Sequence, residues 1–203
     1  MLTSNILKAT GKFLLTSTLA AALVLTGLHQ MFWRHIPLST PAEYVYRIDG
    51  MMGSCSGVMV APQRMLTAAH CLNLMDLKVD GKDALVLKQN SYNDLALLQV
   101  ALDCPCVPLS ETQFTDVTVV GFPMGLVKLI VDGTYISVLQ SDNPMVLEYN
   151  GFAVYRANIE GGFSGGGVFQ FKDGKWYLVG IVSAGSKTMM ITPTVDMIKK
   201  ILR

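Results

Sequence analysis

From residue 43 onward the apolar residues fall in short runs, many of them alternating with polar ones, each bounded by Gly, Asp, Asn or Pro. The series begins with YVYRI at 44–48, SGVMV at 56–60, RMLT at 64–67, LKV at 77–79, ALVLK at 84–88 and LALLQV at 95–100. It continues with VTVVGF at 117–122, TYISVL at 134–139, MVLEY at 145–149, FAVYRA at 152–157, GVFQFK at 167–172 and WYLVGIVS at 176–183. Strand-length pieces at hairpin spacing predict an all-β sandwich or barrel. The stretch 102–113, which carries DCPCVP, reads as the join between two halves. Only TVDMIKKILR at 194–203 changes period: Val195, Ile198 and Ile201 or Leu202 share one helical face, predicting a short C-terminal helix.

The first forty residues follow a different pattern. Between Lys12 and Arg34 the chain reads FLLTSTLAAALVLTGLHQMFW, with no Asp, Glu, Lys or Arg. At about 1.5 Å per residue, such a helix matches a hydrocarbon core of about 30 Å, and Phe32 and Trp33 stand where aromatic rings favour the interface. Before Glu43 there is no acidic residue, only Lys8, Lys12 and Arg34, which leaves the remainder net acidic. A basic start followed by an uncharged apolar run marks an export signal or anchor. No small-residue cleavage site follows the apolar run, so residues 1–42 are expected to be a retained signal anchor plus linker, with HIPLSTP at 35–41 extended by its two prolines. Residues 43–203 are then expected outside the cytoplasm, periplasmic or extracellular, and secreted if the segment is cleaved.

Composition removes several alternatives. Hydrophobic residues make up 51% of the 203 and charged residues 15%, against about 25% charged in ordinary soluble domains. Disorder is excluded because so much apolar surface can be buried to offset ordering entropy. A formal net charge of +1 makes no electrostatic case for a nucleic-acid partner.

Elimination then narrows the chemistry. Of three histidines, His29 and His35 belong to the anchor and its flank, leaving His70 in LTAAHC as the one imidazole for general-base work in the folded region. Ser164 lies in GGFSGGG, with five glycines among its six nearest neighbours. A nucleophilic serine needs a tight turn from which its hydroxyl projects while flanking N–H groups converge on an oxyanion. A phosphate loop would need Gly-Lys-Ser/Thr, but the first lysine after Ser164 is Lys172. Asp94 opens NDLALLQV immediately before an apolar strand, a better place for a desolvated carboxylate than the polar loops of Asp76, Asp80 and Asp83. Singly, His70 reads as a structural histidine and Asp94 as a turn residue; together with Ser164 they suggest a triad.

In that order, LTAAHC, DLALL and GGFSGG resemble the trypsin/chymotrypsin-like serine proteases over about residues 43–203. The short VGFPMG at 120–125 and the closing ITPTVDMIKKIL are most similar to the high-temperature-requirement branch. The resemblance implies two six-stranded antiparallel β-barrels with the site in the cleft between them. It implies His70 as general base and acid, Asp94 as its orienting partner, Ser164 as nucleophile and the N–H groups of Gly162 and Ser164 as oxyanion hole. Asn158 would sit at the base of a neutral specificity pocket, and Ser183, Ala184 and Gly185 would form the strand edge that pairs with substrate backbone. It also implies a Cys55–Cys71 disulfide. No cofactor is expected, and Cys104 and Cys106 find no further His or Cys to complete a metal site. The expected partners are a protein or peptide substrate and the membrane, with self-association left open.

The pattern departs from trypsin-like enzymes at Phe163, where they carry Asp, and no Ile-Val-Gly-Gly activation site appears near 40–50. Both halves of the zymogen device are missing together, which implies a protease not switched on by that cleavage. The rival reading is a catalytically silent fold serving as a membrane-tethered binding module.

Overall fold

The computed structural model describes residues 40–103, 105–110, 116–140 and 151–203. The expected anchor, Cys104 and the MVLEY run lie outside them. Among the described residues no helix is long and apolar enough to cross a membrane.

Six antiparallel strands make the first half: β1 (Val45–Gly50), β2 (Gly53–Ala61), β3 (Arg64–Thr67), β4 (Lys78–Val79), β5 (Lys82–Asn90) and β6 (Leu95–Val100). They pair in the order β1-β2-β3-β6-β5-β4, and β1 meets β4 to close a barrel. At β6 the wall of this barrel is buried on both faces, which explains the unbroken run LALLQV. On β6, Leu98 and Val100 point inward to Ile48, Met59 and Met65, while Leu95 and Leu97 point outward to Val58 and Leu66. Side chains alternate across a strand, so neighbours in sequence enter different cores.

The outer core extends through Val120, Phe169, Leu178 and Ile181 of the second half, so the two halves share one apolar contact layer. The C-terminal helix α1 (Val195–Leu202) puts Ile198 and Ile201 into the same layer. It ends with Lys199 and Lys200 in its last turn, where cations complement the helix dipole. Arg47 also crosses the seam, donating from Nη1 to the Gly125 carbonyl at 2.8 Å.

The second half corrects the expectation of two closed six-stranded barrels. Its strands are β7 (Asp116–Gly121), β8 (Leu129–Val138), β9 (Ala153–Arg156), β10 (Gly167–Lys172), β11 (Lys175–Ile181), β12 (Ala184–Gly185) and β13 (Met190–Thr192). Among the described residues they form a seven-stranded curled sheet in the order β11-β10-β7-β8-β9-β13-β12. Both edges belong to one stretch of chain: the Val182 N–H still donates to Gly166 at 2.8 Å, and the next, Ser183, donates to Ile191 at 3.1 Å. One run, 175–185, thus supplies both edges of the sheet, and among the described residues no ladder pairs β11 with β12.

Cys55 on β2 is disulfide-bonded to Cys71, as expected. The bridge spans a sequence separation of 16, for which loop-closure entropy gives about 3 kcal/mol. Reduction is therefore expected to lower the thermal midpoint by roughly 6–12 °C, on the usual scaling for a domain of this size. Calorimetry with and without a strong reductant checks this; an unchanged midpoint would show that the bridge adds nothing.

Candidate active site

β3 and β6 are antiparallel neighbours, with Thr67 opposite Ala96. His70 lies three residues beyond the end of β3, and Asp94 lies one residue before the start of β6. The ladder therefore delivers both side chains to the same end of the barrel. His70 sits in a 3-10 turn, Ala69–Leu74. Asp94 closes a turn in which its N–H donates to Ser91, and its φ of +46° is a left-handed conformation that Asp tolerates better than most residues. Such strain persists where its surroundings over-determine it.

Those surroundings are four hydrogen bonds. The His70 Nδ1 lies 3.1 Å from Asp94 Oδ1 and 2.9 Å from Oδ2, and the His70 backbone N–H donates to Oδ1 at 2.9 Å. Ser183 Oγ donates to Oδ2 at 2.5 Å. The Asp94 side chain is 15% exposed and that of His70 45%, so the carboxylate is sheltered while the imidazole meets solvent. Burial by itself would raise the Asp94 pKa, but the bonds from His70 and Ser183 outweigh it and hold the carboxyl below its ordinary value.

Ser164 comes from the second half, on the turn between β9 and β10. Gly162 at φ +96° and Gly165 at φ +78° bend the chain sharply on either side of it. A Cβ on Gly162 would stand 2.3 Å from the Phe122 carbonyl oxygen, and one on Gly165 would stand 2.1 Å from the Ser56 carbonyl oxygen. Both positions thus demand glycine twice over. Among the described residues, neither the Gly162 nor the Ser164 N–H donates to a backbone carbonyl. Phe163, between them, is 2% exposed and packs with Val119, Ala157 and Val168. Its ring fits against Gly121, where a Cβ would come within 2.6 Å. Apolar packing anchors the turn at this position.

A cavity of about 700 Å³ joins these parts, lined by His70, Asp94 and Ser164 together with Ser183, Ala184 and Gly185. Asn158 is exposed and is not part of its lining. The adjacent Ile159 takes that place. It is buried, and a Cβ on Gly185 would fall 2.4 Å from its Cδ1, so the two residues oppose each other closely. The resemblance points to Asn158; only alternation along the chain toward the turn separates it from its inward-facing neighbour. Tyr92, 89% exposed at the cavity rim, also escaped sequence reasoning, since an aromatic in a turn carries no pattern. The approach of Cys55, His70 and Cys71 to one another is taken up by the disulfide, which commits both sulfurs.

Residues 55–181 match the family described as trypsin-like peptidase domain. The chain belongs to that family. It is accordingly a serine endopeptidase, a hydrolase. Solved structures with the same fold include the active form of the Rv3671c protease from M. tuberculosis, at TM-score 0.68 and 20% identity, covering 80% of each chain. The serine endoprotease from Yersinia pestis follows at TM-score 0.64 and 19% identity, covering 79% of this chain and 62% of that one. The HtrA-type protease AlgW with tripeptide has TM-score 0.66 and 21% identity, covering 79% and 59%. A search of curated proteins finds no match.

The lowered Asp94 pKa has a definite sign in stability. An aspartate whose folded value lies below its unfolded value of about 3.9 adds stability that is complete above that pH and is lost as pH falls through the folded value. Asp94→Asn is expected to flatten the decline in thermal midpoint below about pH 4. Circular-dichroism melts across that range check it; parallel acid limbs for the two proteins would show that the bonds to Asp94 carry no net stability.

Proposed function

We propose that this peptidase cleaves peptide bonds with His70, Asp94 and Ser164 as its triad, and that the observation carrying this reading is the double contact of His70 Nδ1 with the half-buried Asp94 carboxylate beside Ser164 in one cavity. With Nδ1–H donating to Asp94, the other ring nitrogen is the acceptor that takes the Ser164 proton. The Ser164 oxygen then attacks the scissile carbonyl carbon, and the carbonyl oxygen becomes an oxyanion received by the N–H groups of Gly162 and Ser164. His70 returns the proton to the leaving amine as the C–N bond breaks, which leaves an acyl-enzyme. Water repeats the sequence and releases the carboxylic acid. Asp94 stabilises the imidazolium throughout, held in place by Ser183.

The substrate lies as an extended strand against β12, which among the described residues pairs only with β13, an edge that suits β-strand addition. The closeness of Ile159 to Gly185 supports a small, uncharged side chain before the scissile bond. The tripeptide in the AlgW structure accords with a peptide ligand on this fold. The domain boundary near residue 42, the anchor and the non-cytoplasmic location are part of the same proposal. Lys8 and Lys12 before the apolar run support them, as does the Cys55–Cys71 bridge, because disulfides persist in oxidising compartments.

Labelling with a fluorophosphonate probe separates this reading from the silent binding module. Wild type is expected to label at Ser164, while Ser164→Ala does not and loses at least about 10⁴-fold in turnover. A folded wild type that stays unlabelled would sink the reading. In specificity, Ile159→Ala is expected to raise kcat/KM for a Leu over an Ala side chain before the scissile bond by about tenfold or more, since each accommodated methylene is worth roughly that. An unchanged ratio across a peptide series would show that Ile159 does not limit the pocket.

A further inference from the structure

Ser56 is fully buried on β2, in the first half of the fold, and its hydrogen bonds reach into the second half. Its Oγ accepts from the Phe122 N–H at 2.9 Å and donates to the Gly162 carbonyl at 2.8 Å. Its N–H donates to the Ser164 carbonyl at 2.7 Å. Its own carbonyl accepts from Thr67 Oγ1 at 2.7 Å, which fixes it from behind. One residue thus holds carbonyls of the nucleophile turn on either side of Phe163, together with the strap that begins at Phe122.

That strap matters because of how a trans peptide is built. In a trans peptide the N–H and the preceding C=O point in opposite directions, so anchoring the carbonyl aims the N–H. The Gly162 N–H shares its peptide with the Gly161 carbonyl, to which the Met124 N–H donates at 2.7 Å. The Ser164 N–H shares its peptide with the Phe163 carbonyl, which accepts from Gly166 at 2.7 Å. The first of these anchors depends on where Met124 stands, two residues along from the Phe122 N–H that Ser56 holds. Met124 itself is left-handed, at φ +51°, so the strap is bent into place and relaxes if released.

We propose that Ser56 is a positioning residue for the oxyanion hole: through Phe122 and the strap to Met124 its hydroxyl keeps the Gly161–Gly162 peptide turned so that the Gly162 N–H faces the cavity, beside the Ser164 N–H that the Gly166 bond sets. The assignment rests on the reading of Ser164 as nucleophile. Removing the hydroxyl leaves a buried N–H and a buried carbonyl without their partner and frees that peptide to rotate.

The test uses the full chain and two readouts: the rate of fluorophosphonate labelling with peptide turnover, and amide hydrogen exchange. Ser56→Ala is expected to lower kcat and labelling rate by about 10–100-fold with KM nearly unchanged, less than the ~10²–10³ for deleting a donor outright. Exchange at 121–125 and 161–165 is expected to rise. Ser56→Cys keeps a weaker donor and is expected to retain more of the rate. Met59→Ala, a truncation on the same strand inside the first barrel's own core, lowers the melting temperature but leaves the labelling rate in place. Equal losses in Ser56→Ala and Ser56→Cys, or a Met59→Ala loss as large, would overturn the assignment in favour of packing. Wild type that does not label while exchange still rises in Ser56→Ala would sink the serine-nucleophile reading and leave the clamp standing. Unchanged exchange overturns the clamp whatever the labelling shows.

Discussion

The antiparallel ladder between β3 and β6 is the constraint on which the rest of the site depends. Thr67 opposite Ala96 fixes the register, and from that register a 3-10 turn and a left-handed aspartate bring His70 and Asp94 into contact although 24 residues separate them. A slip of one residue would turn Leu97 inward and Leu98 outward, exchanging two cores at once. The apolar filling of both faces of β6 therefore fixes the register on which the His70–Asp94 contact is built. The disulfide adds a covalent tie at the same place, since Cys71 follows His70 and Cys55 precedes Ser56.

Ser164 reaches the pair from another body of structure, and the seam between the halves carries the remaining precision. Val58 and Leu66 of the barrel share one core with Val120, Phe169 and Ile181 of the curled sheet. Non-directional packing of this kind sets distance but not peptide orientation. Orientation comes from the directional bonds laid over it, notably those of Ser56 to Phe122, Gly162 and Ser164. Packing and hydrogen bonding thus divide the work.

The turn that carries Ser164 has an apolar residue, Phe163, where trypsin-like enzymes carry an acid. An ion pair at that position would need a newly made amino terminus; a buried phenyl ring against Gly121 needs only the core already present. The turn is seated once the chain folds, which fits the missing activation site.

The helix at 195–202 was legible in the linear chain as a change of period and the turn at Ser164 as a run of glycines, whereas the grouping of His70 and Asp94 with Ser164 and the Cys55–Cys71 pair rested on the resemblance of LTAAHC, DLALL and GGFSGG. Evenly spaced strands marked an all-β sandwich or barrel, and the closed first barrel was implied by the resemblance. The open second sheet was not, because whether a sheet closes depends on which strand a run abandons, and 175–185 changes partner midway without any compositional mark. Ile159 in place of Asn158, Tyr92 at the rim and Ser56 behind the turn were invisible for a related reason. Sequence alone determined which chemical groups the protein carries and which strands could form. Only the tertiary structure decided which groups meet, because burial and peptide orientation arise from contacts between residues far apart in the chain.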